Sequence, residues 1–99
     1  MKVVWFESAI QDLVCVRQYI SQDNPMAARN VVAKIGEAVS MLTTHPGIGR
    51  PGRVTGTKEM VVDQTQYILP YRVRDNRIEI LRVLHSSKRW PADPHDDLK

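Results

Sequence analysis

Between Glu7 and Pro46 apolar residues recur every three or four positions, with one interruption at Asp23-Asn24-Pro25. Ala9, Leu13, Val16 and Ile20 form one stripe; Ala28, Val31, Val32, Ile35, Ala38, Val39 and Leu42 form a second. That spacing is the period of an amphipathic helix, so the segment reads as two helices. The interruption explains itself physically: Asn24 is a good N-cap, and Pro25 suits the first helical position, where its missing N–H is not needed. Ser8 and Gln11 stand at the spacing of a capping box for the first helix, read over residues 7–22. Two helices joined by so short a turn fold back into a hairpin with one apolar side. The rest of a 99-residue chain has to cover it.

The remaining segments read as strands. "KVVW" (2–5), "KEMVV" (58–62), "QYILPYRVR" (66–74) and "RIEILRVLH" (77–85) are short, apolar and rich in β-branched residues. Between the last two lies Asp75-Asn76, a pair whose side chains tolerate the positive φ of a tight hairpin turn. The order β-α-α-β-β-β predicts an α+β domain, a small, mostly antiparallel sheet with the N-terminal helical hairpin packed on one face. Residues 1–91 read as this single domain, and "ADPHDDLK" (92–99) as a polar acidic tail dispensable for folding. No apolar run approaches the roughly 20 residues needed to span a bilayer, and "MKVVWFES" lacks the features of a signal peptide. Cys15 is the chain's one cysteine and cannot form an internal disulfide. The expected location is the cytoplasm.

One motif argues for a different chemistry. Gly47-Ile-Gly-Arg-Pro-Gly52 matches the G-x-G-x-x-G of dinucleotide-binding proteins. There the motif follows a strand and opens a helix, whose N-terminus meets the pyrophosphate. Here it follows a helix and precedes a strand, and Arg53-Val54 replaces the Lys-Ser/Thr of a phosphate loop. The glycines therefore serve a sharp helix-to-strand connection that displays Arg50 and Arg53. They belong to a basic half of the chain: residues 46–90 hold nine lysines and arginines against four acids, whereas residues 1–45 hold four of each. Such an excess fits a polyanion or an acidic protein surface.

Individual residues offer less. His45 and His95 lack metal-ligand spacing, and with only Cys15 to add, no metal site is expected. His85, at the end of "LRVLH", offers the residue type of a general base, but reads first as a strand-end histidine bonded to the adjacent loop. Trp90, in "SSKRWP", can close one end of the core or anchor a partner. Arg72 and Arg74 share one strand face, and Tyr67, Leu69, Tyr71 and Val73 the other. Arg82 interrupts the apolar row Ile78-Ile80-Arg82-Leu84, so it either pairs with Glu59 or Glu79 or meets a partner.

Taken in order, "AIQDLVCVRQYI", "NPMAA", "LTTHPGIGRPGRVTGTKEMVV" and "YILPYRV...IEILRVLHSSKRWP" resemble the RelE/ParE superfamily of bacterial type II toxin–antitoxin toxins over nearly the whole chain. The resemblance implies a growth inhibitor that needs no cofactor and forms a hetero-oligomer with a cognate antitoxin. RelE-like toxins cut mRNA on the ribosome, and ParE-like toxins inhibit DNA gyrase. RelE-like nucleases carry an arginine one residue after an aromatic on the middle strand; the matching position here, after Tyr67, is Ile68. With the "LHSSKRWP" ending, this favours the gyrase branch. On that reading Arg50, Arg53, Lys58, Lys88, Arg89 and Trp90 meet the target, and Arg72, Arg74 and Arg82 meet the antitoxin. The alternative, a ribosome-dependent endoribonuclease acting on mRNA, would rely on Lys58, His85, Lys88 and Arg89.

Overall fold

The computed structural model describes residues 1–90. Its elements follow in the order β1 (Lys2–Trp5), α1 (Glu7–Ser21), α2 (Pro25–Thr44), β2 (Arg50–Pro51), β3 (Lys58–Val61), β4 (Tyr67–Arg74), β5 (Arg77–Ile80) and β6 (Leu84–His85). The tail at 92–99 and His95 lie outside the described residues. This is the expected α+β order, with the small strand β2 added and the last expected strand divided into β5 and β6.

Local chemistry accounts for most boundaries. α2 starts where Asn24 caps it: the Asn24 side chain accepts a hydrogen bond from the Ala27 N–H at 3.1 Å, and Pro25 opens the helix. α1 starts differently. Phe6 is its N-cap and makes no side-chain cap bond, so the expected Ser8–Gln11 capping box does not form. The reason is the sheet: the Phe6 N–H still donates to Ile80 C=O at 2.9 Å, so Glu7 is the first residue free to turn and Ser8 is already helical. At the β4–β5 turn Asp75 and Asn76 adopt φ of 53° and 60°, the left-handed geometry that a two-residue hairpin needs.

The strand order is β1-β5-β4-β3-β2, with β6 also pairing with β4. β1 and β5 are parallel, and the other pairings are antiparallel. α2 buries Ala28, Ile35, Ala38, Val39 and Leu42 as its stripe requires, whereas α1 fully buries Ala9 alone and packs Leu13 and Val16 in part. These residues cover Leu69, Tyr71, Ile78, Ile80 and Val83 on one sheet face.

The expected single strand over 77–85 is broken. Ile80 pairs with Tyr71 and Leu84 pairs with Ile68, so Leu81, Arg82 and Val83 oppose only Leu69 and Pro70. The one extra residue is a β-bulge, and it resets the alternation of side chains. Val83 therefore joins Ile78 and Ile80 under the helices, while Leu81 and Leu84 face the other way. Arg82 does not interrupt an apolar row. It reaches back to α1, where its Nε donates to Asp12 Oδ2 at 2.7 Å and its Nη2 to Asp12 Oδ1 at 3.2 Å. Asp12 also accepts from the Val83 N–H at 3.0 Å, satisfying a backbone donor freed by the bulge. The internal partner of Arg82 is thus Asp12, not Glu59 or Glu79.

Because of the bulge, the sheet is buried on both faces. Ile68, Leu81, Leu84 and Trp90 form a second apolar cluster opposite the helices, flanked by Phe6 and Val54.

Candidate functional site

The glycine-rich connection is held against the sheet by one buried acid. Glu59, 2% exposed, receives Arg50 Nη2 at 3.3 Å, the Arg53 N–H at 3.0 Å and Arg53 Nε at 3.5 Å. Arg50 and Pro51 consequently pair with Glu59 and Lys58 as a short strand where an irregular loop was expected. The glycines permit this close packing. A Cβ on Gly49 would lie 2.7 Å from the Tyr71 ring, and one on Gly52 2.2 Å from Thr57 Oγ1. Tyr71 fixes the start of the segment, accepting from the Gly49 N–H at 2.9 Å and donating to Pro46 C=O at 2.8 Å. Arg53 Nη1 also donates to Lys88 C=O at 3.0 Å, clasping the loop to the C-terminal segment. The Arg50–Arg53 segment and the Lys88 backbone, 35 positions from Arg53, are thereby brought together.

Trp90 lies beneath this clasp and is only 3% exposed, packed with Ile68, Leu81 and Leu84. It closes a core and presents no free ring to a partner. Ile68, 2% exposed, is sealed by the same cluster.

The other candidates face elsewhere. His85 is in register with Tyr67, which packs on the helical side, and the two rings meet edge to face at 5.5 Å. Its Nδ1 is 2.7 Å from Ser87 Oγ and accepts from the Ser87 N–H at 3.2 Å, the loop-bonded state anticipated for a strand-end histidine. His85 and Lys88 line a depression of about 430 Å³ with Asp12, Cys15, Tyr19 and Tyr67. Burial, followed by the neighbouring Tyr19, pushes the Tyr67 hydroxyl above its ordinary value, so it stays protonated at neutral pH. Lys58 is in register with Tyr71, also on the helical face. It is four residues along β4 from the His85 partner, roughly 13 Å at strand rise. Arg89 is exposed. Among the described residues no group of three His, Cys, Asp or Glu side chains could hold a metal ion, and no helix is long and apolar enough to cross a membrane.

A second buried acid organises β4 and β5. Glu79 is 2% exposed and is paired with Arg72 through Oε1 and with Arg74 and Arg77 through Oε2 at 3.5 and 3.4 Å. Arg72 also stacks over Phe6, 5.5 Å from the ring centre. Burial by itself would raise the Glu79 carboxyl, but the Arg72 hydrogen bond and the charges of Arg72, Arg74 and Arg77 outweigh it and hold the carboxyl below its ordinary value. The sign of the consequence follows from linkage: stability from this group is complete above the unfolded carboxylate range and is lost as pH falls through the lower folded value. Urea unfolding at a series of pH values should therefore show a flatter acid limb for Glu79→Gln than for the parent chain. Equal slopes would remove Glu79 as a source of acid lability.

Sequence reasoning overlooked Arg77 and Asp12. The first was accessible, because an Asp75-Asn76 hairpin places Arg74 opposite Arg77 and Arg72 opposite Glu79. Asp12 and Arg82 are 70 positions apart, and no local signal joins them.

Residues 3–90 match the family described as ParE toxin of the type II toxin-antitoxin system, parDE. The chain belongs to this family. Its relatives include the Y4kP protein of Sinorhizobium fredii, 42% identical over 90 residues that cover 91% of this chain and 93% of the relative. Toxin RelE2 of Caulobacter vibrioides is 33% identical over 87 residues, covering 88% and 97%. Among solved structures, the chromosomal ParDE toxin–antitoxin system of P. aeruginosa matches with a TM-score of 0.75 and 30% identity, over 86% of this chain and 95% of that one. The RelBE2 toxin–antitoxin complex of Mycobacterium tuberculosis matches with a TM-score of 0.56 and 28% identity, over 85% and 95%. The fold expected from the resemblance is thus the fold of this ParE-family toxin.

Proposed function

We propose that this toxin arrests growth by binding DNA gyrase rather than by cutting mRNA, and that a cognate antitoxin neutralises it in a hetero-oligomer. The observation that carries the choice is Ile68, sealed beneath Trp90. Metal-free RNA cleavage needs a base for the 2′-hydroxyl, a cation for the charged phosphorane and an acid for the leaving oxygen. An isoleucine in a closed apolar cluster supplies none of these and leaves no room for a cation. Of the other nuclease candidates His85 and Lys88 share a depression, but Lys58 lies well apart from them on the helical face. The ParDE structure, closer than RelBE2 by TM-score, supports the same choice.

Binding then falls to the exposed cations. Arg50 and Arg53, held by Glu59, form the target surface with Lys88 and Arg89, and Trp90 supports the segment from below. Lys58, on the other face, is peripheral to it. The antitoxin takes the helical side, where Ile10, Val14, Tyr19, Met26 and Met41 are exposed. Apolar anchors of this kind supply most of the affinity of a protein interface. Of the arginines expected to meet the antitoxin, Arg72 and Arg82 are held in internal pairs and Arg74 remains half exposed.

The test compares two assays on antitoxin-free protein. Gyrase supercoiling should be inhibited, and mRNA on programmed ribosomes should stay intact. Arg50→Gln combined with Arg53→Gln and Glu59→Gln, which leaves no buried carboxylate without its cations, should abolish inhibition while circular dichroism shows the fold retained, and His85→Ala should not abolish it. Ribosomal cleavage that disappears with His85 or Arg89 would overturn the reading.

A further inference from the structure

On the sheet face turned away from the helices, Lys2 on β1, Arg77 on β5 and Arg74 on β4 occupy one row across three adjacent strands. Neighbouring strands are about 4.8 Å apart, so three cations line up over about 10 Å. Like charges placed directly opposite one another weaken a sheet, and this row contains two such pairings. Arg72 stands on the same face behind it. Among the described residues the acids paired with this row are Glu79, already shared among three guanidiniums, and the exposed Asp75, 3.8 Å from Arg77. Among the described residues positive charge is left over, and Arg77 Nε is buried with no hydrogen-bond partner. Charges meant only to keep the surface soluble would not need to be stacked in register at this cost.

We infer that this row binds the phosphate backbone of a DNA duplex, so that the toxin touches DNA as well as protein. The surroundings identify the class of ligand. A protein partner would have to bind this row through charge alone, because Val73, the exposed apolar residue of β4, points to the helical face. A single strand would need exposed aromatic platforms, but Phe6 lies under Arg72 and Trp90 is buried. What remains is a flat set of guanidinium forks, suited to phosphate oxygens and to no particular base. Preference for DNA over RNA rests on the gyrase reading, because gyrase acts on duplex DNA; the phosphate contact itself does not depend on it.

The experiment uses the full chain, free of antitoxin, and fluorescein-labelled 20-base-pair DNA duplexes of two unrelated sequences, followed by polarisation from low to moderate salt. Both duplexes should bind alike, with affinity falling as salt rises. Arg74→Gln combined with Arg77→Gln should weaken binding about tenfold and reduce the slope of log K against log salt by about 2, since each lost phosphate contact removes about 0.9. Arg17→Gln with Arg29→Gln, which removes equal charge from the helices, should leave binding within about twofold and serves as the control for net charge. Circular dichroism confirms that each variant folds. The inference fails if the two double variants behave alike, if no DNA binds at low salt, if an RNA duplex binds tenfold tighter, or if a polyglutamate peptide alone needs Arg74 and Arg77. DNA binding without supercoiling inhibition would leave this inference standing and sink the gyrase reading. Inhibition without DNA binding would do the reverse.

Discussion

Ile68→Arg should unfold the protein and should not turn it into a nuclease. Position 68 is 2% exposed and bounded by Leu81, Leu84 and Trp90, so an arginine there has apolar neighbours on its own face. Burying a charge without a partner costs far more than the guanidinium can recover from dispersion, and the expected loss exceeds about 4 kcal/mol. A domain of this size has about 5–15 kcal/mol in total, so the variant should populate the unfolded state heavily at 37 °C. Arg72 on the same strand face shows what a tolerated arginine requires: a buried carboxylate, Glu79, directly across the strand pair. Thermal unfolding by circular dichroism, run beside the ribosome cleavage assay, checks the result. A variant that kept the parental midpoint and acquired cleavage would show that the face is open to substrate.

Trp90→Ala should cost about 3–5 kcal/mol, the usual range for removing a buried aromatic side chain. Its effect extends past the cavity it leaves. Trp90 covers Ile68, Leu81 and Leu84, and the segment leading to it accepts the Arg53 hydrogen bond at Lys88 C=O. Loss of the ring should loosen that segment and uncouple Arg53 from the sheet, so gyrase inhibition should weaken at temperatures where the variant is still folded. Trp90→Phe should retain most of the stability, because it keeps a ring over the cluster. Urea denaturation gives the energies. A midpoint for Trp90→Ala equal to that of the parent would mean that the second cluster contributes little.

Both substitutions address a layer that periodicity could not reveal. The strand-like run from 77 to 85 alternates well enough to read as one strand with a single buried face, and on that pattern Arg82 is an anomaly and Trp90 an end piece. One inserted residue changes this. After the bulge, Leu81 and Leu84 turn to the far face and need Trp90 and Ile68 to cover them. Nothing in residues 80–84 marks the bulge locally, because its backbone is satisfied by Asp12 from a helix far away in the chain. The candidate site shows the same division. Arg50 and Arg53 could be read as displayed cations from the glycines around them, but their anchoring on Glu59, and the separation of His85 from both, depend on strand register.

The sequence by itself determined what local periods and local sterics control: the helical hairpin, its Asn24-Pro25 start, the Asp75-Asn76 turn, the order of the main strands and the family. It also placed isoleucine, not a cation, at position 68. Only the tertiary structure decided which acid each arginine meets, which sheet face each side chain of the last strands joins, and that Ile68 is closed over. Those outcomes rest on contacts between residues far apart in the chain, whose geometry is set when the sheet registers and its bulge form, so no window of neighbouring residues contains them.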